Sequence, residues 1–191
     1  MTDVPGITSR RFRHERLLSM TLPTYEHAVR LLAAAAEARF ASISAVIAIA
    51  NGGLAPAIGI SSVLDVPNYR LAAKHNPPDA IYTEATGHVI CDMSALAAAL
   101  NGQQLGGTVL LVDDICGSGA TFTAVQPALR PYLQPEAIMR TVALCRNAGT
   151  SLDPDLWVWT VDDWVCFPWE QPSRSAATIE ELPILERVEP T

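Results

Sequence analysis

The chain has 191 residues, of which 49% are hydrophobic and 17% charged. That balance excludes a disordered acidic tail and a coiled coil, and it supplies enough apolar material for one buried core. Its net charge of −7 excludes a general nucleic-acid binder, which needs a basic face, but not an anionic small substrate held by a local site.

Residues 1–23 read as a polar N-terminal arm carrying Arg10, Arg11, Arg13 and Arg16. No apolar segment there resembles a secretory signal. From Thr24 the pattern turns helical, with Val29, Leu32, Ala33 and Ala36 on one face, and the helix ends near Arg39. Residues 42–50 (SISAVIAIA) form a continuous apolar run, the mark of a strand covered on both sides. Asn51, Gly52 and Gly53 make a turn, and residues 54–64 read as a helix. Phe40 to Leu64 carries no charge and is long enough to span a bilayer. Asn51-Gly52-Gly53 and Pro56 break it, and their backbone groups would be costly in lipid. We therefore expect no membrane segment.

Residues 68–74 read as a short strand and 75–79 as a loop rich in Pro and Asn. Residues 81–83 and 88–91 suggest a hairpin joined across Ala85-Thr86-Gly87. A short helix over 93–100 stops at Asn101-Gly102. Residues 108–112 are a second buried strand. A helix follows from Gly119, kinked or ended by Pro127 and Pro131. A third apolar run covers 138–144, residues 156–161 and 163–167 are strand-like, and 175–182 suggests a short helix stopped by Pro183. Strands alternating with helices predict a single α/β domain over 1–191 with a mostly parallel sheet, whose ligands bind at the carboxyl ends of the strands. Cys91, Cys116, Cys145 and Cys166 form no C-x-x-C pair. Neither a zinc site nor a disulfide framework is expected, and the reducing cytoplasm is the default setting.

One segment carries most of the chemistry. The apolar run Val109-Leu110-Leu111-Val112 enters Asp113 and Asp114, then Ile115, Cys116, Gly117, Ser118, Gly119, Ala120 and Thr121. Gly117 and Gly119 let backbone N–H groups point into one concavity. The helix start adds partial positive charge that favours a phosphate. Ser118 and Thr121 can donate hydroxyl hydrogen bonds to the same phosphate. If the strand persists, Asp113 and Asp114 project to opposite faces, where they could accept from sugar hydroxyls. No Lys follows the glycines, which excludes a Walker loop, and a response-regulator acid pair lacks the Gly-Ser-Gly turn. An ordinary strand-to-helix turn leaves the acid pair unexplained.

This segment resembles the phosphoribosyl pyrophosphate (PRPP) binding motif of the type I phosphoribosyltransferases, with Ser118 standing where the family has its first Thr. Residues 45–57 (AVIAIANGGLAPA) resemble that family's pyrophosphate loop. Asn51 stands where the family often has Arg or Lys, and Gly52 and Gly53 supply the backbone donors. All four Trp lie between 157 and 169, and Trp164-Val165-Cys166-Phe167-Pro168-Trp169-Glu170 is similar to the hood of bacterial xanthine–guanine phosphoribosyltransferases. Residues 142–149 (VALCRNAG) look like the segment that places a Lys on the purine's exocyclic oxygen, with Arg146 in that place. Residues 74–83 match the position of the family's flap, where Lys74 and His75 could add charge near the pyrophosphate.

The resemblance implies a type I phosphoribosyltransferase fold: a central, mostly parallel β-sheet flanked by helices, with a small hood (157–170) and a mobile flap (74–90). It implies transfer of the 5-phosphoribosyl group from PRPP to a nitrogenous base. Asp113 and Asp114 would hold the ribose, residues 115–121 the 5-phosphate, and Asn51, Gly52, Gly53, Lys74 and His75 the pyrophosphate. Arg146, Trp164 and Val165 would face the base. Mg²⁺ would be held mainly by PRPP, with Asp113 and Asp114 as protein ligands. The expected partners are PRPP and a base, with no nucleic acid or membrane, and the expected assembly is a homodimer. Two departures bear on the base. Gly117 and Cys166 stand where 6-oxopurine enzymes carry acids, so phosphoribosyl transfer is implied more firmly than a purine. The alternatives are a non-catalytic PRPP- or nucleotide-sensing regulator, and transfer to an unusual acceptor.

Overall fold

The computed structural model describes residues 16–75, 89–171 and 178–190. Its frame is a six-stranded sheet built from β2 (Ile43–Ala50), β3 (Asn68–His75), β4 (Val89–Asp92), β5 (Thr108–Cys116), β6 (Ile138–Asn147) and β7 (Trp159–Val161). The order is β4-β3-β2-β5-β6-β7, and every pair is parallel except β3 with β4. The three apolar runs form β2, β5 and β6 at the centre, where both faces need cover.

Helix α1 (Leu22–Arg39) begins where the Thr21 hydroxyl accepts from the Thr24 amide at 3.3 Å, with a Pro in the first turn. It buries Ala28, Leu32, Ala33 and Ala36 with α2 (Leu54–Leu64) in a core on one sheet face, alongside Val46, Ala48, Leu110 and Val112. The other face, bearing Ile47, Ile49, Val109 and Leu111, is covered by α3 (Ser94–Leu100) and α4 (Ala120–Leu129). Helix α3 ends at Asn101 and Gly102, both with positive φ, as the sequence predicts. Helix α4 stops two residues after Pro127 and passes into a 3-10 turn at Arg130–Tyr132.

A second, three-stranded sheet has the order β8-β1-β9, from β1 (Leu17–Ser19), β8 (Trp164–Cys166) and β9 (Ile179–Glu181). It revises two readings. The end of the supposed polar arm is this central strand, with Leu17, Leu18 and Met20 buried; its stabilising partners lie far along the chain, so no local pattern marks it. Residues 179–181, read as part of a helix, are instead a strand, because an open position beside β1 satisfies their backbone. A third revision concerns His75: β4 pairs antiparallel with β3, from Ala72↔Asp92 to His75↔Val89, so His75 closes a strand rather than opening a loop. Residues 81–83, most of the flap, and Arg10, Arg11 and Arg13 lie outside the described residues. The uncharged stretch after Phe40 is divided among β2, a turn and α2, and no described helix is long and apolar enough to cross a membrane.

Candidate functional site

Parallel pairing brings the carboxyl ends of β3, β2, β5 and β6 to one edge of the sheet. The turns after β2 and β5 therefore lie side by side, since Ala48 pairs with Val112 just before both strands end. Gly52 and Gly53 allow this contact. A methyl group built on Gly52 would collide with the Asp114 carboxylate, and one on Gly53 would reach the Val112 and Ile49 carbonyl oxygens. Neither glycine has positive φ, so close approach and not backbone conformation calls for them. The Ala50–Asn51 peptide is cis.

Strand β5 runs on through both acids to Cys116, four residues past the apolar run. Strand alternation puts Asp113 on the Leu111 side and Asp114 on the Val112 side. The Asp114 amide donates to Asp113 Oδ1 at 3.0 Å, and the Ile115 amide donates to Asp114 Oδ1 at 2.7 Å. Burial pushes the Asp114 carboxyl up to about 6; the Ile115 bond opposes this and the Glu170 charge adds to it. Burial also pushes the Cys116 thiol up to about 11 and holds Cys145 well above its ordinary value. Both thiols stay neutral at pH 7, which suits packing rather than nucleophilic attack.

Gly117, Ser118 and Gly119 form the turn into α4. Gly119 caps the helix at φ 84°, where a side chain would be strained and would strike Leu152 Cβ at 2.6 Å. The Ala120 amide donates to Ser118 Oγ at 3.4 Å, and Thr123 Oγ1 donates to Gly119 O at 3.0 Å. Thr150 and Leu152 form the floor beneath this turn, where the Cys116 thiol reaches Leu152 O at 3.4 Å. The turn and the head of α4, above this floor, carry backbone amides of the kind that could cradle a phosphate.

Arg146 pairs in register with Cys116, one strand across from that cradle. Its Nε donates to Asp153 Oδ1 at 2.5 Å, and its guanidinium lies 5.6 Å over the Trp157 ring. Lys74 is exposed near the end of β3, and His75 is that strand's last residue. Both therefore share the sheet edge with Asn51 and the acid pair. Trp164 and Val165 lie in β8, and Val165 is packed into the core beside α1. The hood is braced by Trp169, which stacks on Phe167 at 5.0 Å and meets Tyr25 edge-on at 5.5 Å. Within the same turn the Phe167 amide donates to Glu170 Oε2 at 3.0 Å.

Sequence reasoning missed Glu170 as a charge on the site, Asp153 as the partner of Arg146, and Thr150 and Leu152 as the floor. Glu170 was visible as the acid of the hood segment, while the others had no signal short of the folded chain. No group of three His, Cys, Asp or Glu among the described residues could hold a metal. Asp113 and Asp114 are hard oxygen donors and fit Mg²⁺ only where the substrate and water complete its shell.

A model of the phosphoribosyl transferase domain family matches residues 22–175. Among solved structures, the chain is similar to a purine phosphoribosyltransferase from Pyrococcus horikoshii Ot3, with TM-score 0.66 and 23% identity, covering 83% of this chain and 97% of that one. A hypothetical protein from Neisseria gonorrhoeae with bound ppGpp matches with TM-score 0.62 and 20% identity, covering 82% and 90%. The xanthine-guanine-hypoxanthine phosphoribosyltransferase of Helicobacter pylori matches with TM-score 0.61 and 18% identity, covering 82% and 93%. At these identities the three structures establish the fold, an α/β domain with a mostly parallel central sheet flanked by helices.

Proposed function

The chain belongs to the phosphoribosyl transferase domain family, and from that premise we propose that it transfers the 5-phosphoribosyl group of PRPP to a ring nitrogen of a base. The observation that carries this reading is the contact of the Gly52-Gly53 backbone with Asp114 and Asp113. The turn after β2 meets the Asp114 carboxylate and the Asp113 backbone, which supports a reading in which that turn faces a leaving pyrophosphate and the acid pair a ribose diol.

In this reading residues 115–121 hold the 5-phosphate through backbone amides and the Ser118 and Thr121 hydroxyls. Asp113 and Asp114 accept from the ribose hydroxyls, and Asn51, Gly52, Gly53, Lys74 and His75 face the pyrophosphate. The C1–O bond to pyrophosphate breaks and its electron pair leaves with the pyrophosphate. The base nitrogen forms the new bond to C1 and sheds its proton to water. Mg²⁺, when bound on PRPP, supplies charge neutralisation of the leaving group. The chain's own contribution is positioning and fixed donors, which need no reorganisation during reaction. Arg146, the Trp164 backbone and Val165 stand on the base side. By resemblance, the working form is a cytoplasmic homodimer.

Losing one preorganised group of this kind costs roughly 10²–10³ in rate. Asp113→Asn and Asp114→Asn should each lower turnover by that order, measured as pyrophosphate release across a panel of bases. Wild-type rates in both variants would defeat the assignment.

A second reading, a PRPP- or nucleotide-sensing regulator, is favoured by Asn51 in place of a cation and by the ppGpp bound to the gonococcal structure. Titration calorimetry with PRPP and Mg²⁺ separates the two: binding without turnover on any base selects the sensor.

A further inference from the structure

The opposite edge of the main sheet carries a concavity that the transfer reaction does not use. Its volume is about 480 Å³, within the range of small-molecule sites. It lies between the last turn of α3, the loop that follows, and the 3-10 turn after α4. Leu105 ties that loop to the turn: its amide donates to Tyr132 O at 3.0 Å, and its carbonyl accepts from the Gln134 amide at 2.9 Å. The loop leads into β5 at Thr108, whereas the transfer edge lies at the other end of that strand, past Cys116. Nine residues of strand separate the two by roughly 25 Å, so one small ligand cannot occupy both.

Apolar surface in the concavity comes from Leu100, Pro131 and the half-buried Tyr132 ring, and amides come from Gln103, Gln104 and Gln134. Gln104 Nε2 donates to Pro131 O at 3.0 Å, which fixes that side chain. Gln134 lies against Gly106, where a β-carbon would strike its Oε1. Among the described residues, no hydrogen bond engages the Gln103 amide, the Gln134 amide or the Tyr132 hydroxyl. Each free amide sets a donor beside an acceptor in one plane. No Lys, Arg, Asp or Glu among the described residues lines the concavity. Arg130, which adjoins Pro131, already donates to Ala137 O at 2.9 Å and to Pro135 O. A phosphate would find no countercharge there.

We infer that this concavity is a second, non-catalytic site for an uncharged planar heterocycle whose edge sets a hydrogen-bond donor beside an acceptor, the class to which the bases of nucleosides belong. A Gln amide reads such an edge on adenine through a bidentate pair. The Tyr132 ring and Leu100 offer apolar cover for the ring faces. The inference is independent of the phosphoribosyl-transfer reading, because none of these residues stands on the transfer edge.

Binding is measured by calorimetry on the full chain with adenosine, cytidine, guanosine and uridine. Purine riboside is the control, since it keeps the ring and lacks the donor. At least one of the four should bind roughly tenfold or more tightly than purine riboside, the discrimination of one bidentate pair. Gln103→Leu and Gln134→Leu change exposed positions free of protein hydrogen bonds, so both variants should keep the wild-type thermal midpoint and PRPP affinity. Each should weaken the preferred nucleoside roughly 2–10-fold, the net worth of one hydrogen bond, and the double variant should bind it no better than purine riboside. The inference is overturned if none of the four binds at millimolar concentration, if purine riboside binds equally well, or if the preferred nucleoside is held unchanged by the double variant. If PRPP fails to bind while this selectivity holds, the transfer reading falls and the second site stands.

Discussion

A methyl group at Gly52 has nowhere to go except into the Asp114 carboxylate. Gly52→Ala should therefore lower the thermal midpoint and also weaken PRPP at least tenfold by calorimetry. Asp114 itself gives a pH test. Its folded pKa of about 6 lies above the ordinary carboxylate range. Between roughly pH 4 and 6 the folded chain keeps a proton that the unfolded chain has lost, so stability falls as pH rises and levels off above about 6. Asp114→Asn should lack this decline and gain stability relative to the wild type over that interval, read from midpoints at pH 4.5, 6 and 7.5. PRPP affinity should move the other way in the wild type, rising from pH 5 to 7 as the sugar-binding carboxylate ionises. The acid pair and the glycines around it were legible in the sequence because they are consecutive, and consecutive residues share one strand end. Asp153 and the Thr150–Leu152 floor were not, because their roles arise from contacts that only the folded sheet creates.

At the scale of elements, α4 begins from a left-handed glycine with no room for a side chain. Gly119→Ala adds strain at φ 84° and a clash with Leu152. It should cost about 1–3 kcal/mol for the backbone alone, seen as a fall in midpoint of several degrees, with loss of phosphate-dependent stabilisation. The central strands were read correctly because continuous apolar runs leave little choice. Their ends were read short. β5 continues through Cys116 and β6 through Asn147, since polar residues can still join a ladder. Of the four three-residue strands, β7 and β8 fall inside stretches read as strand-like, whereas β1 and β9 went unread, because so short a run shows no period and their partners lie far along the chain.

Across the whole molecule, residues 182–190 form a strap over the α1 face. Pro183 O accepts from Trp159 Nε1 and Leu185 O meets His27 Nε2. Glu189 exchanges two backbone bonds with Trp157, while Leu182 and Val188 are buried. Truncation after Leu182 should cost about 1 kcal/mol for each bond lost, in addition to the Val188 burial. It should also loosen the Trp157 ring, whose backbone the Glu189 pair holds. The three-stranded sheet sets a different constraint. Its middle strand precedes both neighbours in the chain, with β2 to β7 lying between β1 and β8. Leu17 and Leu18 therefore gain their strand partners only by long-range pairing, which closes far longer loops than the neighbouring contacts of the main sheet and makes closure of the hood slow relative to it.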